Sequence, residues 1–242
     1  VITYDLIAVS PPDLNAVQPR QTLTNTATLF NYASREAGPD FTEDDLTDDA
    51  DVTTRDPAMT KSLLGTSVVT PNNSNTEAVI GETIQYSVEI TVPEGTINAA
   101  RVWDTLDRGL RFVSLDSAVA SSGAVTFGPV TATPSTAPND GTTNAQTVTF
   151  DLGTIENADT DNTVDETITL TYTVLVLNTS GNQNLGLRNN SALFRWTVGA
   201  TTNETPPSSA DNVTIIEPVL RTNKTAVVAG SGTEGQYGDP VT

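Results

Sequence analysis

Cysteine and histidine are both missing from this chain, and lysine occurs only twice. Without a thiol there is no disulfide framework and no thiolate nucleophile. Without an imidazole as well, Cys/His metal sites, Ser-His-Asp triads and Cys-His pairs are excluded within the chain. Long apolar runs are missing too: no stretch of about eighteen residues is apolar enough for a membrane helix, and no signal-like start is present. Aromatic residues make up 5% of the composition, and Trp103 and Trp196 are the only tryptophans. A glycan site built on stacking rings therefore has few candidates. Positive charge is scarce: 30 acidic residues stand against 11 basic ones, a formal charge of −19. Such a surface repels nucleic-acid phosphates and anionic membranes, so neither is expected as a partner.

What remains is rich in Thr and Val, arranged in short alternating runs, and no window sustains the i, i+3, i+4, i+7 spacing of an amphipathic helix. Ile84, Tyr86, Val88, Ile90 and Val92 alternate with polar or small residues across Glu82–Val92, which ends at Pro93-Glu94-Gly95. In the same way strands are predicted over Ala58–Leu64, Ala100–Leu106, Leu110–Leu115, Thr147–Leu152, Thr167–Leu177 and Leu187–Val198. One further strand is expected near Ala124–Thr131 within an otherwise loop-like stretch, 116–146. Short strands between turn signals, without helices, predict an all-β, Ig-like two-sheet sandwich.

The pattern repeats. Leu23-Thr-Asn-Thr-Ala-Thr-Leu-Phe-Asn-Tyr32 lines up without gaps on Leu187-Arg-Asn-Asn-Ser-Ala-Leu-Phe-Arg-Trp196, at an offset of 164 residues. The strand-like stretch 1–9 echoes 168–177, with Tyr4 answering Tyr172; Asp56-Pro57 answers Glu217-Pro218, and Lys61 answers Lys224. A near-constant offset predicts tandem units of about 160 residues. The expected division is the C-terminal part of one repeat at 1–56, a complete repeat at 57–217 and the N-terminal part of a third at 218–242, a piece of a longer array. Loops are expected at 199–211 and at the longer, acidic 34–50.

Same-parity residues of a strand share a face. Lys61 keeps step with Met59 and Leu63, Asp104 with Val102 and Leu106, and Asn189 with Leu187 and Leu193. All three polar side chains are thus expected to face the core. A buried, unpaired lysine loses its proton, and a neutral amine is a nucleophile. Beside an asparagine amide, with a carboxylic acid to polarise the carbonyl and move protons, that amine can form a Lys-Asn isopeptide bond and release ammonia. Arginine, used nine times here, cannot deprotonate in this way.

Lys61, Gly81–Pro93, Val102–Ser114, Leu152-Gly-Thr-Ile155 and Leu187-Arg-Asn189 resemble the repeats of bacterial and archaeal surface proteins related to the isopeptide-forming fimbrial (CnaA-like) and DUF11 domains. The resemblance spans the complete repeat and both partial ones. It implies an Ig-like sandwich, an extracellular or cell-surface location, a stalk or filament role with neighbouring repeats and other copies as partners, and a Lys-Asp-Asn triad in the members that cross-link. Carried over by position, the amine is Lys61, the acid Asp104 and the amide Asn189, with the adjacent Asn190, which shares parity with Ala192 and Phe194, as the alternative. Asn25 and Lys224 are the equivalents in the partial repeats. The family often has Leu-Pro where this chain has Leu106-Asp107, a difference that touches the turn and not the triad.

Two weaker patterns stand beside this one. Asp159, Asp161 and Asp165 have spacing compatible with a hard cation such as calcium, although not that of an EF-hand loop, and a solvated acidic surface is the preferred reading of them. Six Asn-X-Ser/Thr sequons, from Asn72 to Asn223, are expected by chance in a chain so rich in Asn and Thr. The competing reading is a glycan- or calcium-dependent binding module without a cross-link. No cofactor is required for the cross-link, calcium is possible on the competing reading, and no enzymatic site for a diffusible substrate is visible.

Overall fold

The structure, a computed structural model, describes residues 3–6, 16–30, 32–41, 44–68, 73–135, 145–161, 163–217, 222–225 and 237. Among the described residues every regular element is a strand. In chain order these are β1 (Thr22–Leu29), β2 (Leu46–Thr53), β3 (Ala58–Thr66), β4 (Glu77–Ala78), β5 (Thr83–Val92), β6 (Gly95–Leu106), β7 (Leu110–Ala120) and β8 (Val125–Phe127). There follow β9 (Thr131–Pro134), β10 (Gln146–Asn157), β11 (Glu166–Val176), β12 (Leu187–Arg188), β13 (Asn190–Val198), β14 (Thr201–Glu204), β15 (Ser208–Ser209) and β16 (Val213–Ile215).

Two sheets face each other. One runs β3-β5-β11-β7; the other runs β14-β13-β6-β10-β8, with β15 against β13 and β9 against β10. A small sheet, β12-β16-β4, closes one end, and β1 and β2 form a separate antiparallel ribbon. The alternation that predicts the strands also builds the core: on β5 and β11 every second residue is buried, from Ile84 to Val92 and from Ile168 to Val176. Val102, Val148, Phe150, Phe194 and Trp196 cover them from the other sheet. Each such side chain, fully removed from water, contributes about 1.5–3 kcal/mol, and the result is the all-β sandwich expected.

Several expected loops contain strand. Residues 199–211 hold β14 and β15, both paired to β13. Within 34–50, β2 already begins at Leu46 to complete its ladder with β1. In the 116–146 stretch β7 continues to Ala120 along β11, and β9 adds a strand beside β10; residues 136–144 lie outside those described. These segments are rich in Ser, Thr and Ala or, in β2, in Asp, and carry little hydrophobic periodicity, so ladder bonds rather than apolar faces hold them. Of the strand expected at 1–9, residues 3–6 have no strand geometry and the others lie outside the described residues.

The segment leading into the sandwich is bonded to it. Thr96 N donates to Val17 O at 2.8 Å, and Arg20 lies over the Trp196 ring at 5.6 Å while its Nε bonds Asp56 Oδ1 at 3.0 Å. Gly95 (φ +117°) permits this approach, because a Cβ there would lie 2.3 Å from Val17 O.

Candidate functional site

Lys61 enters the core from β3, at the edge of the four-stranded sheet, on the same face as Met59. Its amine reaches across the sandwich to Asp104 Oδ2 on β6, and it also touches the hydroxyl of Tyr172 on β11. Both side chains of the Lys61–Asp104 pair are fully out of water. The Lys61 Nζ packs over two aromatic rings, 4.8 Å from the centroid of Tyr172 and 5.1 Å from that of Tyr86. Tyr172 Oη donates to Asp104 Oδ2 at 2.6 Å and accepts from Asn190 Nδ2 at 2.9 Å. Asp104 Oδ1 and Asn190 Oδ1 are buried without a hydrogen-bond partner.

The amide in this cluster belongs to Asn190 and not to Asn189. Asn190 is fully buried, whereas Asn189 is exposed and donates from Nδ2 to Asn212 Oδ1 at 3.0 Å. Parity taken from Leu187 and Leu193 points to Asn189, but Leu187 is on the outer face and Leu193 is only half-buried. The inward face is Arg188, Asn190, Ala192, Phe194 and Trp196, set by the two aromatic rings, which have the most area to remove from water. Arg188 joins that face because Asn182 Oδ1 (2.6 Å) and backbone carbonyls satisfy its guanidinium.

Burial lowers the pKa of the Lys61 amine, against the opposing pull of Asp104. Burial likewise raises that of the Asp104 carboxyl, against Lys61 and Tyr172. Both directions favour the neutral pair, an uncharged amine beside a carboxylic acid. Burial and the nearby Asp104 also raise Tyr172 well above the usual phenol range, so it stays protonated. Tyr172 and Tyr86 were not among the residues singled out from the sequence. The available signal was an inward tyrosine on β11, whose hydroxyl needs a polar partner once buried.

Asn25, the expected counterpart of the cross-link amide, can be aligned by backbone bonding. Leu187 pairs with Thr214 and Arg188 with Val213, just as Thr22 pairs with Thr53 and Leu23 with Val52. Just before these pairs, Leu185 N donates to Ile215 O as Arg20 N donates to Thr54 O, and both Leu185 and Arg20 have positive φ. This register matches Asn25 to Asn190, one residue away from the ungapped alignment, and each faces an alanine: Ala50 pairs with Asn25, and Ala210 N donates to Asn190 O. Asn25 Nδ2 donates to Tyr4 Oη at 2.6 Å. Lys224 is exposed.

The acidic residues are not brought together. Asp165 bonds Arg55 at 2.5 and 2.7 Å, Asp161 accepts from Thr163, and Asp159 accepts from the Asp161 backbone. Among the described residues no three acidic side chains gather as a cation site, so the expected grouping of Asp159, Asp161 and Asp165 is not formed. Among the same residues no helix is long and apolar enough to cross a membrane.

No family model and no curated protein matches the chain. Solved structures do. BcpA, the major pilin subunit of Bacillus cereus, matches at 14% identity and TM-score 0.35 over 79% of this chain and 47% of that one. The pilus backbone RrgB of Streptococcus pneumoniae matches at 16% identity and TM-score 0.35, over 58% and 31% of the two chains. The C-terminal domain of the AgI/II polypeptide BspA of Streptococcus agalactiae matches at 14% identity and TM-score 0.37, over 68% and 52%. The chain thus spans about half the length of the pilin subunit.

Proposed function

We propose that this chain is a structural segment of an extracellular stalk or filament, and that its sandwich is closed by an isopeptide bond between Lys61 and Asn190. The observation that carries the reading is the buried cluster itself. An amine and an amide from strands of opposite sheets meet around one carboxyl and one phenol, away from water, with the amine and the acid both pushed toward their neutral forms. Two buried acceptors, Asp104 Oδ1 and Asn190 Oδ1, lack donors; a proton on Asp104 supplies one.

In the reaction, Lys61 Nζ attacks Asn190 Cγ while the protonated Asp104 polarises the amide carbonyl. The Nζ–Cγ bond forms, the Cγ–Nδ2 bond breaks, and Nδ2 departs as ammonia with one proton that Nζ gives up. The fold supplies most of the rate by holding the groups in contact. The bond ties β3 near the start of the sandwich to β13 near its end. Tension passing through the domain is then borne by covalent links, and the chain between them cannot be drawn out. Neighbouring repeats and further copies of the chain are the expected partners, and no turnover of a diffusible substrate is involved.

The test is the intact mass of the 242-residue chain beside Lys61→Arg and Asp104→Ala. The expected wild-type mass is short by one ammonia, and both variants have the mass calculated from sequence. A folded wild type of full mass would remove the cross-link and leave an Ig-like spacer.

A further inference from the structure

We propose that Tyr172 is the proton relay of this site, passing a proton from the Lys61 amine to the Asn190 amide nitrogen as that nitrogen leaves. The inference rests on the reading of Lys61 and Asn190 as the reacting pair. Forming the amide requires Nζ to lose a proton and Nδ2 to gain one, since amide nitrogen departs as ammonia and not as its anion. Tyr172 Oη touches both atoms: it contacts Lys61 Nζ and accepts from Asn190 Nδ2 at 2.9 Å. Asp104, the other candidate, bonds Lys61 and Tyr172 through Oδ2, so its route to Nδ2 runs through the phenol. A neutral phenol holds a proton to give and a lone pair to receive one. In the step, the Oη–H, which bonds Asp104 Oδ2 before reaction, turns to Nδ2 as that nitrogen loses its amide character; the Nζ–H bond breaks as a new Oη–H bond forms, the original Oη–H proton passes to Nδ2, and Tyr172 ends as it began.

A second observation is independent of the core. Asn25, which the β1–β2 register matches to Asn190, donates its amide to Tyr4 Oη at 2.6 Å. That pair is solvent-exposed, with Tyr4 56% accessible, so burial does not force the contact. The amide and the phenol therefore recur together in the preceding unit, where packing alone gives no reason for it. Tyr86 supplies the contrast: its ring centroid lies 5.1 Å from Lys61 Nζ, against 4.8 Å for Tyr172, yet its hydroxyl has no partner.

The experiment follows cross-linking in time. The whole chain is made in a short cell-free pulse, quenched in denaturant at intervals, and the fraction short of one ammonia is read by mass. The expected result is wild-type kinetics for Tyr86→Phe and a rate about 100-fold lower for Tyr172→Phe, the usual contribution of positioned acid–base groups. A ring-fluorinated tyrosine placed at position 172 keeps the hydroxyl and the packing but makes the phenol more acidic. It is expected to shift the pH dependence of the rate, which a merely structural hydroxyl would not do. Wild-type kinetics in a folded Tyr172→Phe, or an unchanged pH profile with the fluorinated residue, overturns the relay and leaves the cross-link standing. A wild type that stays at full mass overturns both.

Discussion

Asn190 and Asp104 leave the same face of the β6–β13 ladder two positions apart, because Asn190 pairs with Leu106 and Ala192 with Asp104. Diagonal neighbours of this kind are about 7–8 Å apart at the backbone, close enough for polar side chains to share a third group. That group is Tyr172 from the opposite sheet, which bonds both.

The face on which the amide lies gives a first prediction. Asn190→Ala is expected to have the mass calculated from its sequence, whereas Asn189→Ala is expected to lose one ammonia like the wild type. The exposed Asn189 is bonded to Asn212 and has no role in the cluster. Intact mass of the two purified variants decides between them, and the reverse pattern would return the reaction to Asn189.

Loss of the bond is expected to loosen the domain. The proposed Lys61–Asn190 link would enclose about 130 residues, and loop closure of that length would contribute about 5 kcal/mol by the chain-entropy relation used for disulfides. Asn190→Ala should therefore melt about 10–20 °C below the wild type, given about 2–4 °C per kcal/mol for a domain of this size. Equal melting temperatures would mean that the cross-link adds nothing to the equilibrium.

On the outer face, Asp116 links three strands. Partial burial alone would raise its pKa, but bonds from Thr173 (2.6 Å), Ser114 (2.7 Å) and Gln85 (3.1 Å) outweigh that and hold the carboxyl below its usual range. A lowered carboxylate pKa gives stability that is present above the unfolded value, about 3.9, and is lost as pH falls through the folded value. Asp116→Asn is thus expected to be less stable than wild type at pH 7, by under about 1 kcal/mol after solvent screening. Urea melts should show the gap closing below about pH 4; a gap that widens in acid would contradict the assignment.

At the entry to the sandwich, Gly95→Ala should push away the incoming segment. Its Cβ would meet Val17 O at 2.3 Å, in a backbone conformation that L side chains rarely adopt. The cost is about 1–3 kcal/mol, and limited proteolysis should reveal faster cutting near residues 16–21. Unchanged cleavage would show that the Thr96 to Val17 contact does not fix the segment.

Calcium is expected to leave the melting temperature unchanged in both directions, on addition and on chelation. Asp165 is engaged by Arg55, and Asp161 turns back on Thr163. A calcium-dependent rise in thermal melting would restore a cation role to the acidic loops.

Much of the fold was legible in the order of the residues. Strict alternation through β5 and β11 leaves one register in which both apolar faces are covered, and the absence of helical spacing leaves only sheets to build. The short strands β14 and β15 were not legible, because backbone bonds to β13 hold them without an apolar stripe of their own.

The site divides in the same way. Lys61 and Asp104 could be read as inward from their own strands, since Met59, Val102 and Leu106 fix the buried face locally. Asn190 could not be chosen over Asn189 from neighbouring leucines, because Leu187 lies outside and the core face is set by how Phe194 and Trp196 meet the opposite sheet. Nor could Tyr172 be assigned its partners, which come from β3, β6 and β13. Periodicity along one strand determines which side chains turn inward; only the packing of two sheets decides which inward groups meet, because those distances depend on registers that no single strand contains.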